Sequence, residues 1–268
     1  MNIKNFVTNK YTLSLLILLA CLGTDVFLHK GMSRVIIPAS FTDKRIPQKF
    51  EACNNALIST SKKWEKAIDN TTLMQSLPKE TAGLECDVYF DVQLNRFNVY
   101  HDSTHISNLA LDSLLSVYKN RNLSASVWLD FKNLSAENAS ASLSRIITLR
   151  NKYALTNKLI VESNNIKYLS VFCDSGFFTS YYAPYFNPYE INEQDLIGFI
   201  DSMSANLKKY PVSALSGYYF QYPVLEKYFP DFPILTWTNQ SNISIISKLF
   251  NAHLENNEHI KIVLYPYP

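Results

Sequence analysis

The chain has 268 residues, 47% hydrophobic and 13% aromatic, enough to bury one sizeable core and to favour one or two domains. A formal net charge of +2, from lysines scattered along the chain, lacks the basic stripe of a nucleic-acid binder and argues against nucleic acid as a partner. Six glycines form no dinucleotide-binding or P-loop pattern, so any phosphate must be recognised by side chains and metal.

Residues 1–30 read as a signal peptide or membrane anchor. Lys4 and Lys10 supply a positive start, and residues 11–22 form a mainly apolar run that suits a signal core better than a full span. Leu18-Leu19-Ala20-Cys21 resembles a bacterial lipobox, with Cys21 as the lipid-carrying residue of a lipoprotein. Uncleaved, residues 11–28 would serve as an anchor with Asp25 near the outer end; a simple cleaved signal is the third reading. The protein is expected to be exported and membrane-associated through its N-terminus, on the periplasmic or cell-surface side. Residues 31–50, with Pro38 and Pro47, read as a linker to a domain over 51–268.

Candidate strands follow at 52–58, 83–90, 126–131, 158–162, 177–183, 212–220, 233–238 and 260–265. Helical segments with apolar residues three and four apart lie at 61–69, 109–118, 136–153, 166–174, 190–208, 224–229 and 241–254. Such alternation implies parallel βα units, and eight of them close into a (β/α)8 TIM barrel, an α/β fold whose sites lie at the C-terminal strand ends. Asp87, Asp130, Lys132, Glu162, Tyr181 and Trp237 fall there.

Those strand ends carry the chemistry. Glu85 and Asp87, two apart in Gly83-Leu-Glu-Cys-Asp-Val, share one face of a strand, and two inward carboxylates need a cation. The blander reading puts both on a solvated face and His101 in a turn. Ser126-Val-Trp-Leu-Asp130-Phe-Lys132 repeats the device, however, and charges on a buried strand face are costly unless paired or metal-bound. His101-Asp102 closes the short run 97–100 and adds a proton-transfer group.

Glu-Cys-Asp, then His-Asp, then Asp-Phe-Lys, then Trp237-Thr238 resembles the strand-end motifs of the glycerophosphodiester phosphodiesterase superfamily, with a PLC-like phosphodiesterase barrel, and more closely its menorin-like branch. The resemblance runs from Ala52 to the C-terminus. It implies a metal-dependent phosphodiester hydrolase in which Glu85, Asp87 and Asp130 bind Ca²⁺ or Mg²⁺, His101 is one of two acid/base histidines, and Lys132 faces the substrate phosphate. The implied partner is a small phosphodiester, such as a phospholipid head group or a sugar phosphate. One departure stands out: the family's first strand ends in a histidine, and Ala56 is expected at that position here. His29-Lys30-Gly31 superficially resembles the missing motif but lies 56 residues before Glu85, next to the apolar segment. The resemblance with that departure therefore implies a weakened enzyme or, as the alternative, an inactive, membrane-tethered binding protein on the same barrel.

Other residues are read beside duller alternatives. Glu162 and Tyr181 would bind substrate in the barrel mouth, Tyr182, Tyr218 and Tyr219 would form a hydroxyl-rich wall, and Trp237 would stack on substrate; all are also ordinary rim and core types. Asp130 and Glu162 could instead be the acid and base of a polysaccharide-processing barrel. Apart from Cys21, Cys53 and Cys86 are the candidate disulfide pair, with small buried hydrophobes as the alternative reading of all three remaining cysteines.

Overall fold

Trp64 marks where the barrel begins. In the computed structural model, which describes residues 10–29, 32, 47–101, 106–238 and 244–267, Trp64 lies in a short strand, β1 (Lys63–Lys66). Its neighbours on the ring are β2 (Gly83–Asp91) and the final strand, β9 (Ile260–Pro266), both parallel to it. β3 (Arg96–Val99) stands outside the ring, antiparallel to the outer half of β2. The ring runs on from β2 through β4 (Ser126–Phe131), β5 (Leu159–Ser163), β6 (Phe178–Tyr182), β7 (Ala214–Tyr218) and β8 (Ile234–Trp237) to β9, every pair parallel. Eight parallel strands thus close the expected (β/α)8 barrel.

The helices delimited among the described residues are α1 (Lys10–Leu28), α2 (Thr71–Ser76), α3 (Leu111–Asn120), α4 (Ala139–Lys152), α5 (Ile166–Asp174), α6 (Glu193–Lys209), α7 (Tyr222–Tyr228) and α8 (Ile245–Asn256). From α3 onward they cover the ring, each laying one apolar stripe on it; in α3 the stripe is Leu111, Leu114, Leu115 and Tyr118. The strands feed two cores. Cys86, Val88, Leu129, Val161 and Leu215 face the helices, while Trp64, Trp128, Ile160, Phe178, Ala214, Leu235, Ile262 and Leu264 fill the barrel interior. Trp64 leaves no room beside it on β2: a Cβ on Gly83 would come within 2.0 Å of its ring. The lower interior is therefore tightly packed and apolar, and polar groups gather near the mouth.

The first strand is not where the sequence pattern puts it. Residues 52–58 form no strand; they run beneath the barrel, with the Asn55 amide donating to the Cys173 and Phe177 carbonyls and the Ile58 amide to the Asn157 carbonyl. The expected helix 61–69 contains β1 instead, because pairing on both sides and burial of one tryptophan override the helix-forming Lys and Glu around it. Cys53 is disulfide-bonded to Cys173 rather than paired with Cys86, which is buried and free. α1 is an exposed apolar helix, long enough over Tyr11–Leu28 to cross a membrane.

A carboxylate cluster at the barrel mouth

β2 alternates. Cys86 and Val88 enter the helix-side core, so Glu85 and Asp87, each 3% exposed, project into the barrel. Register places Asp87 opposite Asp130 and Asp130 opposite Glu162, which sets three carboxylates side by side on adjacent strands. Carboxylate oxygens of Glu85, Asp87 and Asp130 come within 4.8 Å of one another.

The turn after β1 holds both inward acids of β2, Glu85 and Asp87. Ala67 adopts a left-handed backbone, φ +60°, which aims its amide at Glu85 Oε2 (2.8 Å), while Asp69 Oδ1 accepts from the Asp87 amide (3.0 Å). A non-glycine residue in that conformation is held there by its surroundings, and such residues cluster at functional sites. Asp69 escaped the sequence reading. Its signal was Asn70, which caps α2 by accepting from the Leu73 amide (2.9 Å) and so announces a strand-turn-helix join with an acid inside it.

Lys132 Nζ stands 2.6 Å from Asp87 Oδ1 and also bonds Asp130 Oδ2. His101 Nδ1 is 2.7 Å from Asp87 Oδ2; opposite a carboxylate that nitrogen carries the proton, which leaves Nε2 for other work. Asp69, Asp87 and His101 make a second group close enough to share an ion.

Burial, then repulsion from Asp87 and Asp130, pushes the Glu85 carboxyl well above the usual range. Burial also raises Asp130, against the pull of Lys132, and burial with Asp87 beside it pushes Asp69 up to about 7. Burial opposes the charge on Lys132, but Asp130 and Asp87 outweigh it and hold the ammonium above the ordinary lysine range. Crowded, buried oxygens with one lysine among them fit a hard divalent cation, which would replace the missing positive charge.

The cavity, about 120 Å³, is walled by Tyr182, Tyr218 and Trp237, with Trp237 ring centroids 5.4 Å from Tyr182 and 4.9 Å from Tyr218. Lys66 Nζ lies 5.8 Å from the Trp237 ring centre. On the cavity floor Glu162 is 2% exposed, and burial followed by Asp130 holds its carboxyl well above the usual range. Trp128 and Ser216 stand near enough to favour its charged form, yet Glu162 Oε2, Trp128 Nε1 and Ser216 Oγ each lack a hydrogen-bond partner among the described residues.

Most expected site residues therefore meet: Glu85, Asp87, His101, Asp130, Lys132, Glu162 and Trp237 all line this cavity. Tyr181 does not. It is one residue out of phase, buried in the helix-side core, and Tyr182 takes its place in the wall. Ala56 lies beneath the barrel rather than at the mouth, and the strand end assigned to it belongs to Lys66. Among the described residues His101 is the one imidazole lining the cavity; Asp102 lies outside them. Cys21 is exposed on α1, and His29 lies beyond the end of that helix.

No protein-family model matches the sequence, and no curated protein does. Solved structures do resemble the fold. A glycerophosphodiester phosphodiesterase from Parabacteroides distasonis is 14% identical, with 76% of this chain and 93% of that one covered at a TM-score of 0.50. A protein from Galdieria sulphuraria assigned to the same activity is 11% identical over 79% and 96%, at 0.54. An Oleispira antarctica phosphodiesterase, solved with its product sn-glycerol-3-phosphate, is 10% identical over 78% and 94%, at 0.51. At these identities the likeness establishes the barrel; the menorin-like branch has no support in it.

Proposed function

We propose that this protein is a metal-dependent phosphodiesterase of the glycerophosphodiesterase type, exported and held at a membrane by its N-terminus. The observation that carries the reading is the meeting of Glu85, Asp87 and Asp130 with Lys132 and His101 at the mouth of a barrel whose solved likenesses include phosphodiesterases. Glu85, Asp87 and Asp130 would hold Ca²⁺ or Mg²⁺, which when bound polarises phosphoryl oxygens. Lys132 offsets charge developing on the phosphoryl group, and Asp87 orients His101 so that Nε2 exchanges a proton with the attacking or departing oxygen. Lys66 brings a further cation to the wall, and the three aromatic rings shelter the organic part of a small phosphodiester or sugar phosphate. The Cys53–Cys173 disulfide supports an oxidising compartment, hence export, with residues 1–30 as targeting or anchoring segment, 31–50 as linker and 51–268 as barrel domain.

One observation favours a slow enzyme or an inactive binder: the first barrel strand ends in Lys66, not in an imidazole. A single experiment separates these readings. Calorimetry with Ca²⁺ and Mg²⁺ is expected to show binding that Asp87→Asn weakens severely, and hydrolysis of a generic phosphodiester should require the same metal. Metal binding without turnover makes the protein a binder; no binding at millimolar metal removes the site.

A further inference from the structure

α1 is fastened to the end of the barrel that carries the site. Helices of a (β/α)8 barrel begin where its strands end, so the start of α8 lies on the mouth face, a short connection after the cavity residue Trp237. There Asp25, in the last turn of α1, accepts from the Ile245 amide (2.8 Å) and the Ile246 amide (3.1 Å), and His29 Nδ1 is 3.3 Å from the Ser244 hydroxyl. The carboxylate satisfies amides that no helical partner can reach and faces the positive end of the helix. A membrane span bonded in this way cannot hold the mouth face far from the bilayer.

A second, independent observation concerns the rim. Val92 and Leu94 tip the β2–β3 hairpin, which projects past Asp87; Ile106 precedes α3, Tyr185 follows β6, and Ile245 opens α8. All five are at least half exposed, and they sit in three connections that follow strand ends: Val92, Leu94 and Ile106 between β2 and α3, Tyr185 after β6 and Ile245 after β8. Apart from α1, the other exposed large apolar side chains among the described residues are Ile58, Val171 and Leu249. Apolar side chains at three places on the rim of a polar mouth are suited to shallow insertion at a lipid interface.

We infer that the mouth face lies against a lipid bilayer, seated there by Asp25 and His29, and that the phosphodiester taken by the site is a lipid headgroup presented by that bilayer. The chemistry of the headgroup rests on the phosphodiesterase reading; the orientation does not. The small cavity suits this division, because it admits a headgroup while acyl chains stay in the membrane. Either manner of tethering preserves the contact, since lipid on Cys21 would enter the bilayer one helical turn before Asp25.

The test uses the full chain with Cys21→Ser, reconstituted in vesicles of phosphatidylcholine and phosphatidylglycerol, with a polarity-sensitive dye at Leu94→Cys, Ile106→Cys or, beneath the barrel, Ile58→Cys. Headgroup-level lipid quenchers should quench the dye at the first two positions several-fold more than at the third. Asp25→Asn, still membrane-bound, should bring all three to a similar level. Equal quenching at all three positions in the parent chain, or energy transfer between copies showing that a second chain covers the mouth, overturns the inference. Leu94→Asp with Ile106→Asp should slow cleavage of vesicle lipid several-fold and leave cleavage of bis(p-nitrophenyl) phosphate unchanged; equal slowing of both overturns the headgroup assignment. Rim quenching without cleavage of either substrate supports the orientation and overturns the phosphodiesterase reading alone.

Discussion

Lys132 Nζ stands 2.6 Å from Asp87 Oδ1, so the acid at the centre of the cluster already has a cation beside it in the absence of metal. Asp130 shares the same ammonium. Removing that lysine leaves two largely buried carboxylates facing each other. Breaking a buried pair from one side costs about 3–5 kcal/mol, and Lys132→Met is expected to fall in that range by thermal unfolding in chelator. Millimolar Ca²⁺ or Mg²⁺ should then raise the melting temperature of the variant more than that of the parent, because the ion supplies charge that the variant lacks. Equal metal effects in the two proteins would separate Lys132 from the metal site.

The missing imidazole belongs at Lys66, where β1 reaches the cavity, and not at Ala56 beneath the barrel. Lys66→His should raise metal-dependent hydrolysis by at least about tenfold, below or within the range of about 10²–10⁴ for a positioned acid or base. Ala56→His should leave the rate unchanged. The opposite ranking, in folded variants that both bind metal, would restore the strand assignment made from the sequence pattern.

The Cys53–Cys173 bond joins the segment beneath the barrel to the end of α5 across 120 residues. Closing so long a loop in the unfolded chain stabilises the fold, and losing such a bond costs about 2–5 kcal/mol. Cys53→Ser should therefore lower the urea midpoint, and a reductant should do the same to the parent while leaving the variant unaffected. A parent indifferent to reductant would contradict the pairing.

Tyr118 supplies a pH dependence remote from the site. Its hydroxyl donates to the Ala125 carbonyl at 2.7 Å, and burial pushes it up to about 12. Between pH 10 and 12 the unfolded chain has released this proton and the folded chain still holds it. The stabilisation is thus complete below about pH 10 and fades as pH rises through that window. Unfolding midpoints of the parent should fall along this interval more steeply than those of Tyr118→Phe; Tyr182, Tyr222 and Tyr265, also shifted upward, with burial the largest cause, leave the variant a residual slope.

Much of the barrel was legible because its central strands are buried on both faces and bounded by polar turns. The pattern placed β4 and α5 at their observed limits and most later elements within a few residues. It failed where an element draws its stability from partners rather than from itself. β1 has only Trp64 fully buried and is made a strand by β9 and β2, whereas 52–58 alternates like a strand but spends its polar groups on the bottom of the barrel.

The site divides along the same line. Alternation with a period of two was enough to put Glu85 with Asp87, and Asp130 with Lys132, on common faces, since side-chain direction along a strand is a local property. Whether those faces meet is not local. Strand register brought Asp87 level with Asp130, chain return brought His101 to Asp87, and the strained turn at Ala67 brought Asp69 to the same acid. Tyr181 shows the sensitivity of the local rule, because an error of one residue turns a mouth side chain into a core one. Residue types and their faces were thus determined by the sequence itself, while the identity of the first strand, the Cys53–Cys173 pairing and the convergence on one cavity were decided by tertiary structure, where contacts between distant segments outweigh local preference.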